Sequence, residues 1–162
     1  EIGMRYVEGL KSVEGGYNHT GSRSPMQWDD STNAGFSSAP ASDLYIAMDP
    51  DKDRPTAKKE MAAPDSLYHE VKKLIRIRQS HKALQSRGKI TFVYAEKNAY
   101  PLAYIREDGD EKILVIINAA AEAKTFACDA EPKEAIYNFG AAAEAKNGKI
   151  TVPAQSAGFY RI

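Results

Sequence analysis

The sequence predicts an α+β chain in which a long irregular segment and one helix precede an antiparallel β-sandwich. Three observations carry this. Helix and strand breakers recur through the first 64 residues, apolar residues then recur at helical spacing over 66–84, and after Gly88 the apolar period falls to two. The expected division is therefore residues 1–87 and residues 88–162.

The first segment carries Gly15-Gly16, Gly21, Pro25, Gly35, Pro40, Pro50, Pro55 and Pro64, too many breakers for regular structure. A short helix is expected around Ser42 to Ala47. The charged run from Asp49 to Lys59 reads as solvated surface with a turn at Asp49-Pro50-Asp51. A structureless stretch this long is uncommon in a compact domain and is either functional or wrongly assigned.

Leu67, Val71, Leu74, Ile75 and Ile77, with Lys72, Lys73, Arg76 and Gln79 between them, place most of the apolar residues on one side of a helix. Pro64-Asp65-Ser66 supplies its start, although Tyr68 and His69 leave it without a capping box. The late cations Lys72, Lys73, Arg76 and Arg78 complement the helix dipole.

Seven short strands follow, at 90–94, 102–105, 113–117, 125–127, 135–137, 150–152 and 158–160. Asp108-Gly109 and Asn147-Gly148 are pairs that tolerate positive φ, as tight hairpins require, and Pro132 and Pro153 stop strands. The strand 113–117 has no polar face and should be central. Tyr94, Tyr100, Tyr104, Tyr137 and Tyr160 read as sheet residues that bury a ring and wet a hydroxyl; the competing reading is a sugar-stacking platform.

Composition narrows the function. The chain is 43% hydrophobic and 27% charged, with 22 Lys plus Arg balancing 22 Asp plus Glu. Zero net charge gives no field that would draw it to nucleic acid or an anionic membrane. No run approaches the roughly 18 apolar residues of a membrane span. Cys128 is alone, which permits a reducing compartment, and a cytoplasmic location is expected. His19, His69 and His81 lack metal-site spacing, so no metal and no cofactor is expected.

The most informative stretch is Arg23-Ser24-Pro25-Met26-Gln27-Trp28-Asp29-Asp30 followed by Asn33-Ala34-Gly35-Phe36. It joins the single tryptophan to an arginine beside a proline-locked turn. A fixed fork of donors and an apolar ring with one N–H suit a ligand covered in hydroxyls. Asp29 and Asp30, being adjacent, are poorly placed for the 5–9 Å division of labour of glycoside hydrolysis. They read as loop anchors through backbone N–H groups.

This run closely resembles a segment of the α-glucosidases of the α-amylase superfamily (glycoside hydrolase family 13), the group containing oligo-1,6-glucosidases and trehalose synthases. Glu1-Ile2-Gly3-Met4 resembles the stretch just after that family's eighth barrel strand, and Asp65-Ser66-Leu67 leading into Lys73-Leu74-Ile75-Arg76-Ile77-Arg78 is similar to its last barrel helix. The resemblance implies the last long loop and helix of a (β/α)8 barrel followed by the family's C-terminal β domain.

It further implies that the chain is the C-terminal part of an exo-acting enzyme that hydrolyses α-glucosidic bonds of malto- or isomalto-oligosaccharides with retention. The family's nucleophilic aspartate, acid/base glutamate and stabilising aspartate would all lie upstream, so the chain itself holds no catalytic residue and is expected to be inactive. In the resemblance Arg23 is the substrate-binding residue, closing the subsite for the terminal glucose. A charge-assisted fork there rewards a terminal hydroxyl and blocks a continuing chain. The alternatives are a maltose-rearranging trehalose synthase, or a non-catalytic carbohydrate-binding or packing module. A barrel piece without its neighbours is expected to expose apolar surface and to self-associate through residues 1–84.

Overall fold

The computed structural model describes residues 24–162 and divides into two compact units, Glu1–Lys72 and Lys73–Ile162. The division falls inside the long helix. The boundary expected from the sequence is residue 87.

In the described part of the first unit, two 3-10 turns, Thr32–Gly35 and Ala41–Asp43, precede a short helix α1 (Ala57–Ala62). Ala41–Asp43 lies at the edge of the expected 42–47 helix. The charged run 49–59 is largely exposed, as expected, but its end is helical: α1 was not expected. Its residues Ala57, Lys58, Lys59, Glu60, Met61 and Ala62 are all good helix formers. Thr56 caps it, its side chain accepting the Lys59 N–H, and the Thr56 side chain is almost fully buried. Ala34 and Ile46 are the buried apolar residues of this part.

The helix α2 (Leu67–Ser80) ends four residues short of the expected Leu84, and a separate 3-10 turn, Lys82–Leu84, follows it. Ser66 starts α2 by accepting the Glu70 N–H at its carbonyl, while its hydroxyl lies a long 3.5 Å from the His69 nitrogen. No residue of α2 is buried, and the apolar series Leu67, Val71 and Ile75 is exposed by 73%, 45% and 51%. Among the described residues no helix is long and apolar enough to cross a membrane.

The second unit is a two-layered antiparallel β-sandwich. Its strands are β1 (Lys89–Tyr94), β2 (Leu102–Asp108), β3 (Glu111–Asn118), β4 (Lys124–Ala127), β5 (Ala135–Phe139), β6 (Glu144–Lys146), β7 (Lys149–Val152) and β8 (Ser156–Arg161). One sheet runs β1-β2-β3-β8-β5, with the apolar β3 in the middle, and the other runs β4-β7-β6. All seven expected strands are present. The eighth, β6, escaped the sequence reading because Glu144-Ala145-Lys146 is wholly exposed and offers no apolar alternation. It forms because Asn147 and Gly148, both at positive φ, close a two-residue hairpin onto β7.

The sheets meet over Ala103, Leu114, Ile116, Phe126, Cys128, Ile150, Val152 and Tyr160. Asn118, at the end of β3, is buried because its polar atoms are satisfied. Its side-chain nitrogen lies within hydrogen-bonding distance of the carbonyls of Glu122, Val152 and Pro153, and its side-chain oxygen accepts the Ala120 N–H. The opposite face of the larger sheet holds Ile113 and Val115 against Ala83 of the 3-10 turn. Ile113, Leu114, Val115 and Ile116 are all buried because β3 is covered on both faces.

Candidate functional site

The loop that carries Trp28 is built by its own sequence. Asn33 and Ala34 both adopt left-handed φ, 49° and 53°, followed by Gly35 at 71°. This sharp turn aims the Ala34 carbonyl at the Trp28 and Asp29 N–H groups, at 2.8 and 3.2 Å. Asn33 then donates its side-chain amide to the carbonyls of Ser37 and Ala39, at 3.0 and 2.7 Å, fixing the exit. A Cβ at Gly35 would stand 2.9 Å from the Asp29 carboxylate and would have to adopt φ of 71°, so the turn favours glycine.

Asp29 anchors the loop in the manner its sequence position suggested. Its Oδ1 accepts the Ser31 N–H at 2.8 Å and the Ser31 hydroxyl at 2.5 Å. The hydrogen bond from the Ser31 hydroxyl, then that from its N–H, hold the carboxyl below its ordinary range, and Lys58 adds to this. Asp30 pairs with Lys59 at 3.1 Å on the surface. Asp29 is thus committed to the loop, whereas Asp30 makes an exposed surface pair of small energetic weight.

The loop is joined to α1 by the main chain. The Ala57 and Lys58 N–H groups, which a helix start leaves without intrahelical partners, donate to the Gln27 and Trp28 carbonyls at 2.8 and 2.9 Å. The Gln27 side chain donates to the Pro55 carbonyl at 3.2 Å. Its Oε1, together with Arg54 Nε, is buried without a partner among the described residues. Trp28, 52% exposed, overhangs a groove of about 440 Å³ lined by Asp29, Ala57, Lys58, Met61 and Ala62. The sequence reading singled out Trp28 and did not include α1, which supplies the other wall. The signal for that wall was Thr56 three residues before Lys59, with Pro64 behind.

Arg23, the expected substrate-binding residue, lies outside the described residues, as do Glu1-Ile2-Gly3-Met4 and His19. The other two histidines are occupied structurally: His69 Nε2 meets the Met61 carbonyl at 3.0 Å and His81 Nδ1 meets Glu111 at 2.6 Å. Among the described residues no group of three His, Cys, Asp or Glu side chains could hold a metal ion. Burial pushes the Cys128 thiol up, away from reactive thiolate character.

The tyrosines serve the sheets. Tyr94 packs on Phe126 and Tyr137 on Phe159, with ring centroids 5.4 and 5.1 Å apart. The Tyr160 hydroxyl donates to Asn138 at 2.7 Å and accepts the Ala143 N–H at 2.9 Å. Tyr100 alone of the five is exposed, and a single ring makes no platform.

Residues 5–87 match the model of the α-amylase catalytic domain. A glucan 1,6-alpha-glucosidase of Streptococcus pneumoniae serotype 4 is 30% identical over 131 residues, covering 81% of this chain and 23% of that protein. An oligo-1,6-glucosidase of Parageobacillus thermoglucosidasius is 35% identical over 104 residues, covering 64% of this chain and 18% of the relative. Among solved structures, the trehalulose synthase MutB from Pseudomonas mesoacidophila MX-45 aligns with a TM-score of 0.74 at 27% identity, covering 99% of this chain and 30% of MutB. A mutant of MutB solved in complex with the substrate sucrose gives 0.73 at 29% identity, with the same coverage. The chain spans less than a quarter of the curated relatives' length and under a third of MutB.

Proposed function

This chain belongs to the α-amylase family, and on that premise we propose that it is the C-terminal part of an exo-acting α-glucosidase that hydrolyses isomalto- or malto-oligosaccharides with retention. The observation that carries the reading is the match over residues 5–87, which contains the whole run from Arg23 to Phe36. The names of the relatives favour α-1,6 bonds as the first substrates to try.

In this reading the chain contributes binding and support. Double displacement needs two carboxylates about 5–5.5 Å apart across the scissile bond. Asp29 holds the loop through Ser31 and Asp30 makes a surface pair with Lys59; in this reading the reacting carboxylates belong to the rest of the enzyme and this chain alone is silent. Arg23 precedes the rigid loop and acts as the fork that receives the terminal glucose, its charge-assisted hydrogen bonds favouring a chain end. The loop from Trp28 to Ala39 is held by its own hydrogen bonds, which limits the ordering cost of any ligand it meets. Neutral net charge suits an uncharged oligosaccharide, and the reading places the enzyme in the cytoplasm.

A second reading is favoured by the similarity to trehalulose synthase MutB: the same barrel could pass the glucosyl unit to a sugar acceptor and so isomerise sucrose. Substituting Arg23→Ala in the enzyme that carries this chain separates binding from fold. The expected result is a fall in kcat/KM for isomaltose of about a hundredfold, the range for removing one charge-assisted contact to substrate. Unchanged kcat/KM overturns the assignment. Product analysis with sucrose decides between hydrolysis and isomerisation.

A further inference from the structure

In the second unit a cavity of about 310 Å³ is lined by Leu74 and Arg78 of α2, Leu84 of the following turn, Tyr104 and Arg106 of β2, Val115 of β3 and Phe159 of β8. Four of these residues make apolar walls, and three bring hydrogen-bond donors to the same space. That volume is at the small end of ligand pockets.

Arg106 is held rigidly and leaves donors over. Its Nε donates to the Ala83 carbonyl at 3.1 Å, and its Nη2 to the carbonyls of Gln85 and Gly88 at 2.5 and 3.0 Å. These are neutral acceptors, and they occupy three of the five guanidinium donors, so both N–H groups on Nη1 remain. No carboxylate pairs with Arg106 among the described residues. Glu111, on the same face of the sheet, is taken by His81, the Ala83 N–H and Arg161. Arg78 and the Tyr104 hydroxyl have no hydrogen-bond or ion-pair partner among the described residues. Burial raises the Tyr104 phenol, with Arg106 opposing, so its hydroxyl stays protonated and able to donate.

We propose that this cavity binds a small amphipathic monocarboxylate, its two oxygens held by Arg78, Arg106 and Tyr104 and its hydrocarbon or aryl body lying on Leu74, Leu84, Val115 and Phe159. A carboxylate matches the guanidinium fork, and an apolar body uses the walls. Inorganic phosphate would leave those walls wet, and a neutral alcohol forgoes charge-assisted pairing with the guanidinium groups. The site shares no residue with the Trp28 loop and is independent of the glucosidase reading.

Calorimetric titration of the 162-residue chain with benzoate tests this, with inorganic phosphate and benzyl alcohol as comparators. Benzoate is expected to bind saturably with one site per chain, and both comparators about tenfold or more weaker. Arg78→Gln should weaken benzoate about tenfold, the usual scale for one charge-assisted hydrogen bond, and Tyr104→Phe about threefold. Arg106 also fixes the turn after α2, so the test rests on the two exchanges that leave its backbone contacts in place. Thermal unfolding of both variants verifies that they fold. The proposal is overturned if benzoate does not saturate, if phosphate or benzyl alcohol binds as well, or if both folded variants bind benzoate like the unaltered chain.

Discussion

Glu111 on β3 closes on His81 beyond the end of α2, with 2.6 Å between its Oε1 and the His81 Nδ1, while its Oε2 accepts the Ala83 N–H at 2.9 Å. One carboxylate thus fixes the whole turn between helix and sandwich from the sheet side, and Arg106 fixes it from the neighbouring strand. Glu111→Gln is expected to cost about 1–3 kcal/mol in urea unfolding, because the Ala83 N–H and the His81 ring lose a charged acceptor. An unchanged midpoint contradicts this.

The same residue sets an acid dependence. Burial pushes the Glu111 carboxyl up, but the hydrogen bonds from Ala83 and His81, with the nearby His81 and Arg161 charges, outweigh this and leave it below its ordinary range. The unfolded chain then takes up the proton first as pH falls. Stability from this group is present above the unfolded value of about 4.3 and is lost as pH drops through the lowered folded value. Unfolding at pH 7 and at about pH 3 should show a larger acid loss in the unaltered chain than in Glu111→Gln; equal losses contradict the assignment.

Gly35→Ala tests the Trp28 loop. The added Cβ meets Asp29 Oδ1 and must also adopt φ of 71°, a combined cost of about 1–3 kcal/mol. Faster amide exchange is expected at Trp28 and Asp29, whose N–H groups depend on the Ala34 carbonyl, with β3 amides unaffected. Unaltered exchange at both positions counts against the loop geometry.

How much of this could be read from residues alone depends on where the restraint acts. The unbroken apolar run of β3 and the Asn147-Gly148 pair are local signals, and they gave a central strand and a hairpin that the fold bears out. β6 carries no apolar residue inward and exists through its pairing with β7, which no local pattern records. α1 was hidden by its own charges, since Lys58, Lys59 and Glu60 look like open surface until Gln27 and Trp28 are seen to receive its first N–H groups. In the candidate site, Trp28 and the anchoring role of Asp29 were legible, whereas the Lys58 and Met61 wall depended on a contact some thirty residues away in sequence. The carbonyl acceptors around Arg106 were illegible for the same reason, because Ala83, Gln85 and Gly88 meet it only through folding.

Leu67, Val71 and Ile75 recur every fourth residue along α2 and all are exposed. Apolar surface left in water favours association. Sedimentation of the 162-residue chain is expected to show a concentration-dependent rise in mass that Leu67→Lys with Val71→Lys suppresses. A monomer at every concentration contradicts it.

The central claim is that this chain supplies the binding loop and β domain of an α-glucosidase whose reacting carboxylates lie elsewhere. The direct measurement is glucose release from isomaltose by the 162-residue chain, alongside the same chain extended by the reading frame upstream of Glu1. The account predicts no release from the first and sustained release from the second, with the frame encoding an aspartate, a glutamate and a second aspartate in family order. Turnover by the short chain, or an upstream frame without those carboxylates, contradicts it.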